Sequence, residues 1–215
     1  DSMKTALTKR VLDMLEKLTE EPEKFAAFWK AFGNVVKEGM VEDFANRERI
    51  GKLLRFATST SNSSEQNQSL DEYISRMKEA QTNIYYIVAD TYETARNSPH
   101  LEVFRANDIE VLLMVDRLDE WMMGSLREYG GKSFADVARG DLDISALKKD
   151  KTDDEKSDDD KAGDEALLDR LKTLLESEVE NVRYSTRLVD SPACLVVGQA
   201  DMGLQMRRMM EAAGQ

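Results

Sequence analysis

Several short stretches carry residue types that handle phosphate, metal or acyl chemistry. Tyr129-Gly130-Gly131-Lys132-Ser133 ends like a phosphate-binding loop, in which glycine N–H groups and a lysine hold phosphate oxygens. That loop needs a glycine five residues before its second one. Leu126 stands there, inside an apolar helical stretch, so the motif fails. The turn "VADTYETA" has no glycine either, and a dinucleotide site is not expected at it. Asp158, Asp160 and Gly163 fall at positions one, three and six of a calcium loop. Ala162 replaces the fifth-position ligand and Asp169 stands where a bidentate Glu is usual, so the stretch reads as an acidic linker. His100 is the single histidine and Cys194 the single cysteine, and nothing in the sequence pairs them, so His100 reads as structural or superficial. A zinc site lacks ligands. One enzymatic alternative stays open: a site at the C-terminal ends of parallel strands, near Asp90, Thr91 and Asp116.

The elements that must position these residues follow from charge and periodicity. The 215 residues are 41% hydrophobic and 33% charged, with a net charge of −12. So acidic a chain repels nucleic acid. One cysteine excludes an internal disulfide framework. No run of about 18 apolar residues marks a membrane span, and "DSMKTALTKR" has no signal-peptide apolar region. A cytoplasmic protein is the expectation. The chain begins at Asp1 and ends in "MEAAGQ"; both ends read as cut, as in a piece of a longer protein.

Residues 1–57 read as three helices. Leu7, Val11, Met14, Leu15 and Leu18 recur at helical spacing in the first. Phe25, Phe28, Trp29, Phe32, Val35 and Val36 do so in the second, after Pro22. Ile50, Leu53, Leu54 and Ala57 follow Asn46 in the third. Residues 58–68 form a polar loop. Residues 69–149 change period: a capping box at Ser69 and Glu72 opens a helix, and strands are expected at 84–89, 109–115 and 133–138 with helices between them. That order implies a small three-layer αβα unit with a short parallel sheet covered on both faces. Residues 150–165 hold nine acids and three lysines and read as a mobile acidic linker. Residues 166–215 read as a small α+β unit: a helix, strands at 182–189 and 193–197, and a last helix from about Asp201. The fold class is therefore mixed α+β and α/β.

Methionine is unusually frequent, with eleven in the chain. Met202, Met206, Met209 and Met210 fall within a helical sector of roughly 100°, opposite Arg207, Arg208 and Glu211. Two readings stay open: a face packed in a core, or an adaptable contact surface, because Met is flexible and polarizable. In "DRLDEWMMGSLREY" (116–129), Leu118, Met122, Leu126 and Tyr129 share the core side. Trp121 lies at its margin and Met123 beyond it, so both are expected to be at least partly exposed.

The stretches "ALTKRVLDMLEKL", "FGNVVKEGMVEDFANRERIGKLLRF", "NSPHLEVFRANDIEVLLM", "DRLDEWMM" and "GKSF" resemble the heat-shock protein 90 family, in its bacterial HtpG-type branch. The resemblance runs over nearly the whole chain, least clearly in 150–165. "DSPACLVVGQADMGLQMRRMMEAAGQ" is similar to the start of that family's C-terminal domain.

The resemblance implies an ATP-driven chaperone, homodimeric at full length, that binds unfolded or partly folded client proteins with the help of co-chaperones, and neither nucleic acid nor membrane. It implies a piece spanning the late middle domain and the start of the C-terminal domain. The ATP and Mg site, the catalytic-arginine loop and the closing dimer helices would lie outside it, so no cofactor and no ATPase activity are expected here. It also places the client-contacting surface at Glu120, Trp121 and Met123 and at Met202, Met206, Met209 and Met210. Two alternatives stand beside this one: the α/β enzyme above, and a purely structural spacer with both Met clusters buried.

Overall fold

The computed structural model describes residues 2–140, 142, 147, 158–185, 187–198, 201, 207 and 210. Three helices come first: α1 (Ser2–Leu18), α2 (Pro22–Glu42) and α3 (Arg47–Leu53). Pro22 takes the first turn of α2, where its missing N–H costs nothing. The apolar stripes are wider than what the neighbouring helices cover. Leu12, Leu15, Phe25, Trp29, Val36 and Met40 line the core, whereas Leu7, Val11, Met14, Phe32 and Val35 stay exposed. Periodicity places a residue in the apolar sector; only the packing partner decides which half of the sector is covered.

The remaining elements build the predicted αβα unit: β1 (Ala57–Thr58), α4 (Leu70–Arg76), β2 (Asn83–Val88), α5 (Tyr92–Arg96), α6 (Glu102–Ala106), β3 (Leu112–Met114), α7 (Asp119–Ser125), β4 (Glu128–Tyr129) and β5 (Lys132–Asp136). The capping box at Ser69 and Glu72 is formed. The strands lie in the order β1-β3-β2-β5-β4. β3 and β5 flank β2 in parallel, as the alternation of elements required, while β1 and β4 add antiparallel edges that the sequence did not signal. Both are two residues long, too short for a period of two to register. Gly130 (φ 56°) and Gly131 (φ 74°) form the two-residue turn between β4 and β5. Two consecutive positive φ values are what such hairpins need, and this explains the Gly-Gly pair better than a phosphate loop does.

Side chains alternate across the sheet. Ile84, Leu112 and Met114 face a core shared with α1 to α4 and α7. Tyr85, Ile87, Val111, Leu113 and Val137 face a second core with α5, α6, Leu101 and Leu147. Both faces are buried, so the strands read as continuous apolar runs.

Two expectations for the later chain are corrected. Within the acidic stretch, residues 158–165 open helix α8 (Asp158–Leu175); residues 150–157 lie outside the described residues. Neither 182–189 nor 193–197 forms a strand among the described residues. A single parallel bridge joins Val197 to Arg139, because this segment docks through isolated hydrogen bonds and not through a continuous edge. Arg207 and Met210 are helical; the rest of the expected last helix after Asp201 lies outside the described residues.

Candidate functional site

Helix α7 carries the first predicted contact stretch, and its entry is fixed by an ion network. Lys37 of α2 has a side chain only 1% exposed, and its Nζ lies 2.5 Å from Asp116 Oδ2 and 2.6 Å from Asp119 Oδ1. Asp119 Oδ2 accepts the Asp116 N–H at 2.9 Å, closing the turn into α7. Gln66 donates to Asp116 Oδ2 at 3.0 Å and accepts from Trp29 Nε1 at 2.9 Å. Helix α2, the polar loop and α7 are thereby joined through polar groups inside an apolar setting. Lys37 Nζ also stands 5.9 Å from the Trp29 ring centre and 5.7 Å from that of Phe56, within reach of both π-faces.

The two carboxylates differ. Burial pushes the Asp119 carboxyl up, more than Lys37 and the Asp116 N–H draw it down. At Asp116 burial also pushes up, but the charge and hydrogen bond of Lys37, with the hydrogen bond of Gln66, outweigh it and hold the group below its ordinary value. Asp116, which the enzymatic alternative needs free, is thus engaged as a structural partner, and Thr91 is the N-cap of α5.

The network orients the rest of α7. Met122 and Leu126 are buried as expected. Trp121 is 40% exposed, which agrees with its place at the margin of the core face. Met123 departs from expectation: at 8% exposure it belongs to the core with Val36 and Met40. Helix α2 packs against α7, so the covered sector of α7 extends beyond the sheet-facing side and takes in Met123.

Glu120 is half-buried and pairs with Arg139. The Arg139 guanidinium reaches three acceptors: Asp136 Oδ2 from Nε at 3.1 Å, Asp201 O from Nη1 at 2.7 Å and Glu120 Oε1 from Nη2 at 3.3 Å. Its carbonyl accepts from Arg187 Nη2 at 3.0 Å. Gly140 N–H donates to Val197 O, and Val197 N–H donates to Ala138 O. The end of β5 therefore holds both α7 and the segment that leads into the second predicted contact stretch. Of that stretch, Met210 is half-buried; Met202, Met206 and Met209 lie outside the described residues.

The same segment is anchored further back. Glu102 at the start of α6 accepts the N–H groups of Val189, Asp190 and Ser191 at 2.8, 2.9 and 3.1 Å, and the Ser191 hydroxyl. With the Ser191 hydroxyl foremost and these N–H groups beside it, the carboxyl falls from the ordinary 4.5 to about 2. Val103 N–H donates to Arg187 O. His100 is buried beneath the segment: burial, then the neighbouring Arg187, push its imidazole below its ordinary value, against a hydrogen bond with the Leu195 backbone. Among the described residues its Nδ1 has no hydrogen-bond partner.

Lys37, Arg139 and Glu102 were missed by sequence reasoning. For Lys37 a signal exists, since it lies on the helical face of Trp29, Gly33, Val36 and Met40, where a cation must find buried anions. For Arg139 and Glu102 the partners in the later segment are far away in sequence, at separations of 62 and 87 or more residues, and no local pattern points to them.

A family model described as Hsp90 protein matches residues 1–215. Among solved structures, the chain is similar to the middle domain of a Plasmodium falciparum heat shock protein, with 34% sequence identity and a TM-score of 0.61 over 64% of this chain and 57% of that one. The chain spans a little over half the length of that solved chain.

Proposed function

Because the chain belongs to the Hsp90 protein family, a family of chaperones, we propose that it binds non-native client proteins through a surface centred on Trp121. The observation that carries this reading is the split within α7. Met122 and Met123 are core, Asp119 is pinned by Lys37, and between them Trp121 is held 40% exposed on a helix whose orientation is fixed. An exposed, rigid aromatic ring costs little entropy to engage and is the usual anchor of a contact surface. Glu120 stands beside it as an acidic rim, and Met206, Met209, Met210 and Met202 supply the adaptable apolar part.

The full-length protein is proposed to act as a cytoplasmic, ATP-driven homodimer served by co-chaperones. The stretch that imitates a phosphate loop forms the β4–β5 hairpin turn, which supports a reading without a nucleotide on this chain. Binding is therefore its contribution, and titration with Mg-ATP should give no saturable heat; saturation at micromolar nucleotide refutes that part. The α/β-enzyme reading loses Asp116 to the Lys37 pair. The spacer reading, with the contact stretches buried, does not account for the exposure of Trp121.

The deciding experiment is Trp121→Arg, read by the anisotropy of a fluorescently labelled, permanently unfolded protein such as reduced carboxymethylated α-lactalbumin. Client affinity should fall while urea stability stays within about 0.5 kcal/mol, as for surface changes. Unchanged affinity, or an unfolded variant, refutes the surface.

A further inference from the structure

We propose that Arg139 is a positioning residue that sets where the segment ending at Asp201 stands relative to Trp121. Three observations converge. The three donor positions of its guanidinium go to three different parts of the chain: Asp136 at the end of β5, three residues before it, Glu120 on α7 next to Trp121, and the carbonyl of Asp201. Its backbone and those of its neighbours register the same incoming segment, through Arg187 to Arg139 O and the reciprocal bonds with Val197. The group is only 25% exposed, and its partners Glu120 and Asp136 are 14% and 12% exposed, so water competes weakly for those two bonds, while the bond to the Asp201 carbonyl is exposed.

The chemistry selects arginine. A planar guanidinium holds a fixed fork of donors and can satisfy acceptors in three directions at once; an ammonium on a flexible stem is a point charge and keeps only part of such a set. Asp136 orients the fork. Burial raises the Asp136 carboxyl, while the Ala138 N–H and then Arg139 lower it, so Arg139 favours the charged form that orients it. Glu120 and Asp201 are then fixed relative to each other through one side chain, and Glu120 leads directly to Trp121. The link between Arg139 and client binding rests on the function proposed above; the mechanical coupling of Glu120 to the 197–201 segment does not.

Two measurements on the chain separate these levels. The first is amide hydrogen exchange in Glu120→Gln, a change on α7 that touches neither Val197 nor Gly140. Exchange at Gly140 and Val197 should accelerate at least several-fold, and the amides of Met122 and Leu126 should keep their protection. Unchanged protection at Gly140 and Val197 overturns the coupling. The second is affinity for the labelled unfolded α-lactalbumin in Arg139→Lys and Arg139→Met, beside Trp121→Arg. Both Arg139 variants should bind on the order of fivefold more weakly or worse, the scale of an ordinary coupling between sites, and Lys should not rescue. Full rescue by Lys means that charge and not the fork matters, and overturns the proposal. If Trp121→Arg abolishes binding while both Arg139 variants bind normally, the positioning role fails and the client surface stands. If Trp121→Arg changes nothing, the client surface fails, and the exchange result alone decides the coupling.

Discussion

Replacing Lys37 with Met removes the charge and keeps most of the volume, so the stem still packs beside Trp29 and Phe56 while two carboxylates lose their cation. Asp119 is 1% exposed in its side chain and among the described residues retains the Asp116 N–H; Asp116 is 30% exposed and retains Gln66 and access to solvent. Breaking a buried pair from one side costs about 3–5 kcal/mol. Lys37 serves two anions, of which one can turn to solvent, so a loss of about 3–4 kcal/mol is expected. The pH dependence gives the sharper test. Without Lys37, the Asp119 carboxyl rises further above its ordinary value than burial already places it. A carboxyl raised in the folded state contributes stability that is present at low pH and lost as pH rises through its folded value. The deficit of Lys37→Met relative to the parent should therefore shrink as pH falls from 8 toward 5, and the difference removes effects common to both proteins. Adding Asp119→Asn should recover a large part of the deficit at pH 8 by neutralising the stranded charge. Urea unfolding followed by circular dichroism measures all three. A deficit below about 1 kcal/mol, or one that does not change between pH 8 and 5, refutes the account of a buried cation fixing the entry to α7.

Other outcomes follow from burial and from the anchoring of the later segment. Leu126→Ala and Met123→Ala should each cost about 2–5 kcal/mol in urea unfolding; a Met123 variant of full stability would return that residue to the surface. Leu7→Lys and Met14→Lys, on the exposed half of the α1 stripe, should stay within about 0.5 kcal/mol, and a larger loss would mean that this face is covered. Glu102 is lowered from 4.5 to about 2, so its contribution is fully present above pH 4.5 and lost as pH falls toward 2. Glu102→Gln should flatten that part of the stability curve and speed amide exchange at Val189, Asp190 and Ser191. His100, lowered from 6.5, contributes stability that is present above pH 6.5 and fades as pH falls below it. A His100→Gln protein should lose that component; an unchanged pH profile between 6.5 and 5 would show that the imidazole titrates as it does in solvent.

The sequence by itself determined what depends on neighbours along the chain. Helix periodicity placed α1 to α3, although α3 stops at Leu53 and Ala57, expected in it, lies in β1. Ser69 and Glu72 set a cap, and apolar runs located β2, β3 and β5, whose alternation with helices made them parallel. The family was also legible, in stretches such as "DRLDEWMM". Helical angle put Trp121 at the margin of its core face, where the structure holds it. Tertiary structure alone decided which part of each apolar sector is covered. Met123 is buried because α2 lies against α7, and Leu7, Val11 and Met14 are exposed because nothing described in the fold reaches them. It also decided the partners of the charges. Lys37 meets Asp116 and Asp119 across 79 and 82 residues, Glu102 gathers three N–H groups from 87 to 89 residues away, and Arg139 joins Glu120 to Asp201. Coulomb attraction and hydrogen bonding act over a few ångströms of space and carry no periodicity in sequence, so only the folded chain reveals them.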